Sequence, residues 1–232
     1  SAKASRMAME RSKTAPEEIE FIIFATITSD YFLPGNGVLL QRELGLKSIG
    51  ALDIRNACSG FIYALSVADQ FIKTGMYKKI LVVGAEIQSS ALDKSDDGRS
   101  SAVIFADGAG ATLVESDTSD SGILSFSVQS HCEDEVTYLN LGKSNFPESD
   151  PRIRYVKMKG RKVYEYALKH VPEAMKDCLD KAQVSIEDVK KIFIHQANEK
   201  LDEAIVRELF KLYDRTEMPE HLMPMNIHKL GN

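Results

Sequence analysis

Two residues in this chain combine reactive chemistry with a position suited to it. Cys58, in Asn56-Ala57-Cys58-Ser59-Gly60-Phe61, lies where a strand-like run ends and a helical pattern begins. In open α/β sheets ligands bind just there, beyond the carboxyl ends of the strands. A helix amino end offers free N–H groups and a positive dipole, both of which favour thiolate over thiol. Gly60 allows close backbone approach, and Ser59 can help cap the helix. A free cysteine is more often a small packed hydrophobe. Cys132, in a polar loop, and Cys178, on a helix face beside Leu179, fit that description. His195 follows Ile192-Phe193-Ile194 and precedes the helix that Asn198 begins, a place like that of Cys58. A neutral imidazole there could accept a proton or donate a hydrogen bond to an acyl oxygen. His131, His170, His221 and His228 have no such placement, and no pair has a zinc-like spacing.

The elements that must position these residues follow from apolar patterning. Residues 3–13 read as a helix with Ala4, Met7 and Ala8 on one side. Phe21 to Thr26 is a short β-branched run suited to a strand buried on both faces. A helix through Val38 to Leu44 stops at Gly45, and a second buried strand is expected at Gly50 to Ile54. Phe61 to Lys73 reads as a helix, Ile80 to Gly84 as a third strand, and Ser101 to Val114 as two further strand pieces. The alternation of strand and helix argues for a mainly parallel α/β sheet. Asp107-Gly108-Ala109-Gly110-Ala111 lacks the Lys-Ser/Thr ending of a phosphate loop, so its glycines are read as permitting a bend or a close strand contact. The polar run Ser116 to Ser121 marks the best boundary, giving halves of 1–117 and 118–232. Beyond it a strand is expected over Ile123 to Val128 and irregular chain over Cys132 to Tyr155. A long helix over Tyr164 to Ala182, a strand at Ile192 to Ile194 and a helix from Asn198 to Leu212 complete the pattern. Ala15 to Phe24 and Ser185 to Ile194 echo each other, each a short acidic turn entering an apolar run, which hints at duplicated halves.

Bulk properties narrow the function. The 232 residues can bury a real core, and 44% hydrophobic with 27% charged content is ordinary for a globular protein. A net charge of -5, spread along the chain, gives no reason to expect nucleic acid as a partner. Three scattered cysteines form neither a disulfide framework nor a metal set. No apolar run approaches the roughly 20 residues needed to cross a bilayer. A soluble, cytoplasmic protein without a membrane partner is the expectation.

Five blocks occur in a telling order: Asp53 to Phe61, Ala64 to Asp69, Phe105 to Ala111, His195-Gln196-Ala197-Asn198, and Gly231-Asn232. Together they resemble β-ketoacyl-acyl-carrier-protein synthase III over nearly the whole chain. The resemblance implies a thiolase-like α/β fold, five layers αβαβα built from two pseudo-repeated halves. It also implies a Cys-His-Asn triad: Cys58 as acylated nucleophile, with His195 and Asn232 as hydrogen-bond donors to the thioester oxygen. Asn198 resembles a residue touching the pantetheine arm, and Arg99 one near the coenzyme A nucleotide. Leu33, before Pro34, resembles a residue reaching the acyl pocket of a neighbouring subunit, which implies a homodimer. The implied reaction joins an acyl-coenzyme A to malonyl-acyl carrier protein, with coenzyme A thioester as substrate and no metal or resident cofactor. Lys200 and Arg207, seven apart on one helix face, match basic positions that dock the acidic carrier, among Glu199, Glu203 and Glu208.

The chain stops at Asn232, and the family's opening strand and a later Gly-rich loop are not in it, so a chain truncated at both ends is expected, with open sheet edges. Other readings share parts of the pattern. A condensing enzyme of secondary metabolism, or a 3-hydroxy-3-methylglutaryl-type synthase, would keep the thiol and change the acceptor. A non-catalytic partner subunit would have no need of Cys58, His195 and Asn232 together. A cysteine hydrolase would give Asn198 no role.

Overall fold

The computed structural model describes residues 1–144, 146 and 148–230, the side chains at 97, 100 and 101 excepted. The chain forms two compact units, one of residues 1–87 and 107–123, the other of residues 88–106 and 124–232.

The first unit contains α1 (Ala2–Ser12), β1 (Phe21–Ala25), α2 (Asn36–Glu43), β2 (Gly50–Ile54), α3 (Gly60–Lys73), β3 (Lys79–Ile87) and β4 (Asp107–Glu115). Its sheet runs in the order β2-β1-β3-β4, parallel except for β4, which is antiparallel to β3. Because side chains alternate across a strand, β1 sends Ile22 and Phe24 to one face and Ile23 and Ala25 to the other. Ile22 and Phe24 pack with Leu81, Val83, Met9 and Leu40. Ile23 and Ala25 pack with Ile80, Val82 and with Ala64 and Ala68 of α3. Small residues let α3 lie close. A Cβ on Gly60 would stand 3.3 Å from that of Ala25, and one on Gly84 would stand 3.2 Å from the Phe61 ring.

Two expectations for this unit fail. Gly50–Ile54 is not buried on both faces: β2 is the sheet edge among the described residues, and Leu52 and Asp53 are exposed. Ser101 to Val114 is not two strand pieces either. Arg99–Ala102 is a short helix, α4, and β4 is one continuous strand in regular register with β3. Gly108 and Gly110 make neither a bend nor a close contact, since a Cβ on either would meet open space.

The second unit holds α4, a two-stranded antiparallel sheet of β5 (Leu139–Gly142) and β6 (Tyr155–Met158), and three helices: α5 (Gly160–Ala182), α6 (Glu199–Lys211) and α7 (Ile227–Leu230). Ile186, Ile192, Val206, Leu209, Phe210 and Leu222 form its core, with Met175 and Leu179 of α5 against it. α5 runs through a buried Pro172 although proline removes one helical hydrogen bond. The runs at 123–128 and 192–194 are not strands. An apolar run becomes a strand only beside another, and the described residues give these none; Ile192 instead donates its N–H to the Leu222 carbonyl at 2.9 Å. The internal echo does have a local counterpart. α1 ends on left-handed Lys13 and leads to a 3-10 turn at Pro16–Glu18, and α5 ends on left-handed Gln183 and leads to one at Ile186–Asp188.

Candidate active site

Cys58 follows the carboxyl end of β2, in a 3-10 turn over Ala57–Ser59 that opens into α3. The turn begins on Ala57 at φ 48°, a left-handed conformation uncommon for a residue with a Cβ. The Ser59 hydroxyl does not cap α3; it donates to the Asn56 carbonyl at 2.9 Å and so tightens the same turn. The expectation that the helix end favours thiolate gives the wrong direction. Burial pushes the Cys58 thiol above its ordinary value, outweighing a hydrogen bond from its own N–H, and the Glu86 carboxylate adds to the rise. The residue as a whole is exposed.

Glu86, at the carboxyl end of β3, organises the backbone after β1. Its Oε1 accepts the Ile27 N–H at 2.9 Å, and its Oε2 accepts the Thr28 hydroxyl at 2.6 Å. The segment that follows ends on a second carboxylate. Asp53 accepts the Asn36 and Gly37 N–H groups at 2.5 and 2.8 Å, where a negative charge meets the amino end of α2. Between these anchors stand Tyr31, Phe32 and Leu33, at 61%, 99% and 77% exposure.

In the second unit His195 sits just before α6, and desolvation pushes its imidazole below the usual value although the residue as a whole is exposed. That favours the neutral ring at physiological pH. Asn198 is the N-cap of α6, its Oδ1 accepting the Leu201 N–H at 3.2 Å, so the donor it can offer a ligand is its Nδ2 amide. Lys200 and Arg207 are both exposed on α6, and Arg207 pairs with Glu203 at 3.6 Å. Arg99 is exposed at the start of α4. Asn232 lies outside the described residues. Cys58 and Leu33 thus belong to the first unit, and His195, Asn198, Lys200, Arg207 and Arg99 to the second.

Sequence reasoning passed over Glu86, and it quoted Asp53 and Gln196 within the matching blocks without giving either a role. Glu86 carried a usable signal, a lone carboxylate closing a buried apolar strand. Gln196 carried none, since its side chain bonds only backbone groups of residues 224–227. Among the described residues no three His, Cys, Asp or Glu side chains group as a metal site would need, and no helix is long and apolar enough to cross a membrane.

The sequence model of 3-oxoacyl-[acyl-carrier-protein (ACP)] synthase III matches residues 52–132, the stretch that includes Cys58. The beta-ketoacyl-[acyl-carrier-protein] synthase III of Fusobacterium nucleatum is 35% identical over 99% of this chain and 69% of that protein. The crystal structure of 3-oxoacyl-[acyl-carrier-protein] synthase III from Aquifex aeolicus is 37% identical, covering 100% of this chain and 69% of that one, with a TM-score of 0.85. The priming beta-ketosynthase of the R1128 polyketide pathway is 30% identical with a TM-score of 0.86, over 100% of this chain and 67% of that one. The α/β fold is therefore the thiolase-like fold of these enzymes, and the chain belongs to the β-ketoacyl-acyl-carrier-protein synthase III family.

Proposed function

We propose that this chain carries out a decarboxylative Claisen condensation of an acyl-coenzyme A primer with malonyl-acyl carrier protein, the step that starts a fatty-acid chain. The observation that carries this reading is Cys58, a thiol held by a left-handed turn at the head of α3 inside the segment matched to the family. Its sulfur attacks the primer's thioester carbonyl, forming acyl-Cys58 and releasing coenzyme A. Malonyl-carrier protein then loses carbon dioxide. The electron pair left on carbon forms the new C–C bond with the acyl carbon, and the C–S bond to Cys58 breaks.

His195 and Asn232 donate hydrogen bonds to the thioester oxygen, where enolate charge collects. Neutrality suits His195 to that task, and its lowered pKa supports it. Enolate charge resides on oxygen, so two fixed donors serve, and coenzyme A enters as substrate rather than as a resident cofactor. The Asn198 amide binds the pantetheine arm and Arg99 the coenzyme A nucleotide. Lys200 and Arg207 dock the carrier protein. Leu33 reaches the acyl pocket of a second copy in a homodimer; its high exposure beside Phe32 supports this. The nucleophile belongs to a half of residues 1–117 and the two donors to a half of 118–232, in a cytoplasmic enzyme.

Intact-mass measurement after incubation with a series of acyl-coenzyme A donors tests the reading. The expected result is a gain equal to one acyl group for favoured donors and none for Cys58→Ala. No gain with any donor would sink the proposal.

A further inference from the structure

We infer that Glu86 is a positioning residue of the acyl pocket: by pinning Ile27 and Thr28 to the end of β3, its carboxylate sets the loop that presents Leu33. This rests on the reading of Leu33 as a pocket residue.

After β1 the chain must turn away from the sheet, and its first N–H groups need acceptors. The Thr26 N–H goes to the Ile54 carbonyl and the Thr28 N–H to the Thr26 hydroxyl, and Glu86 takes the one between them. Oε1 takes the Ile27 N–H at 2.9 Å, while Oε2 takes the Thr28 hydroxyl at 2.6 Å and lies 3.4 Å from that of Thr26. The Thr28 Oγ1 in turn accepts the N–H of Ile87, the residue after Glu86, at 2.8 Å. The two segments are thus laced in both directions. Glu86 makes no ion pair among the described residues, so its charge is met by directed N–H and O–H donors, which fix geometry more closely than a mobile cation would.

The far end of the loop has a matching device. Asn36 Oδ1 accepts the Asp30 N–H at 3.2 Å, while the Asn36 N–H is bound to Asp53. The three large apolar side chains at the tip stand in solvent and cannot define the loop by packing. Its shape therefore depends on the anchors, and Glu86 is the one that also stands close enough to Cys58 to act on its charge.

Steady-state kinetics of the intact enzyme with acetyl-coenzyme A and a longer, branched acyl-coenzyme A read the effect as the ratio of the two kcat/KM values. Thr28→Val keeps the shape and removes the hydroxyl's bonds to Glu86, Ile87 and Thr26. It is expected to change the ratio about tenfold, on the scale of one methylene in an apolar pocket. Thr28→Ser, which restores the hydroxyl, is expected to return the ratio to the wild-type value. Glu86→Gln is expected to shift the ratio in the same sense and also to speed alkylation of Cys58 by iodoacetamide at neutral pH, because the repelling charge is gone. Leu33→Phe is the control for the pocket. If Leu33→Phe moves the ratio and Thr28→Val and Glu86→Gln both leave it within about twofold, the inference is overturned and the pocket reading stands. If Leu33→Phe leaves the ratio unchanged, the pocket reading falls and the inference falls with it. Glu86→Gln and Thr28→Ser keep polar partners in place, so the comparison survives if Thr28→Val does not fold.

Discussion

The side-chain amide of Gln196 makes three hydrogen bonds to one stretch of backbone. Its Oε1 accepts the Asn226 and Ile227 N–H groups at 2.8 and 2.9 Å, and its Nε2 donates to the Pro224 carbonyl at 3.2 Å. Gln196 adjoins His195, and residues 224–227 lead into α7 and on toward Asn232. One amide therefore ties together the chain segments that carry both proposed donors. Gln196→Ala removes all three bonds and should misplace the donors without touching Cys58. Turnover in the condensation step is expected to slow by about one to two orders of magnitude, the scale of loss that a small misplacement brings. Acylation of Cys58, followed by intact mass, should stay near the wild-type rate. Equal loss in both half-reactions would mean that Gln196 only supports the fold. Gln196 could not be identified from sequence as a positioning group, because its partners are backbone groups that a residue pattern does not display. Glu86 showed only as a carboxylate closing an apolar strand, since its partners Thr26, Ile27 and Thr28 lie far away in sequence. Cys58 and His195 could be singled out because their chemistry lies in the residue type and their place at an element's end.

At the level of elements, α6 buries a stripe of Leu201, Asp202, Ile205, Val206, Leu209 and Phe210, and one member of it is a carboxyl. Asp202 is 1% exposed and its Oδ2 has no hydrogen-bond partner among the described residues. Burial pushes its pKa from 3.8 up to about 6; the Asn198 N–H opposes the rise and Glu199 adds to it. Between those values the unfolded chain has lost its proton while the folded chain keeps it. Stability therefore falls as pH rises through that window, and the full cost is present above about pH 6. Asp202→Asn keeps the shape and abolishes the charge. It should gain about 1–3 kcal/mol at about pH 8, and the gain should fade toward about pH 4. Urea unfolding at several pH values measures this, and a gain independent of pH would refute it. The same helix was legible in the sequence, since its apolar stripe repeats every three or four residues. So were β1 and β3, whose unbroken apolar runs suit strands covered on both faces. The runs at 123–128 and 192–194 look alike in sequence but lack a neighbouring strand among the described residues. The β5–β6 ladder was missed because two four-residue strands in a polar stretch show too few alternations to stand out.

Taken whole, the chain leaves its first unit after Ile87, spends residues 88–106 in the second, and returns at Asp107 to form β4. Composition marks the polar run at 116–121 but not this excursion, whose anchor is one buried carboxylate. Asp93 is 6% exposed; its Oδ2 accepts the Ser144 hydroxyl and its Oδ1 the Ser95 hydroxyl, each at 2.6 Å, with Lys157 Nζ at 3.7 Å. Gly98 presses on the same spot, where a Cβ would fall 2.0 Å from the Asp93 carbonyl oxygen. The Ser144 and Ser95 hydroxyls hold the Asp93 pKa at about 2, below its ordinary 3.8, against the opposing effect of burial. The stabilising contribution is therefore complete above 3.8 and is lost as pH falls toward 2. Asp93→Ala should cost about 1–3 kcal/mol at neutral pH, by leaving two half-buried hydroxyls without their charged acceptor, and the difference from wild type should shrink in acid. It should also free the excursion that carries Arg99. Limited trypsin digestion reads this directly, with faster cleavage after Lys94 and Arg99 in the variant and a raised KM for coenzyme A thioesters if Arg99 binds the nucleotide. Cleavage of variant and wild type at equal rates would show that the excursion is held by something other than Asp93.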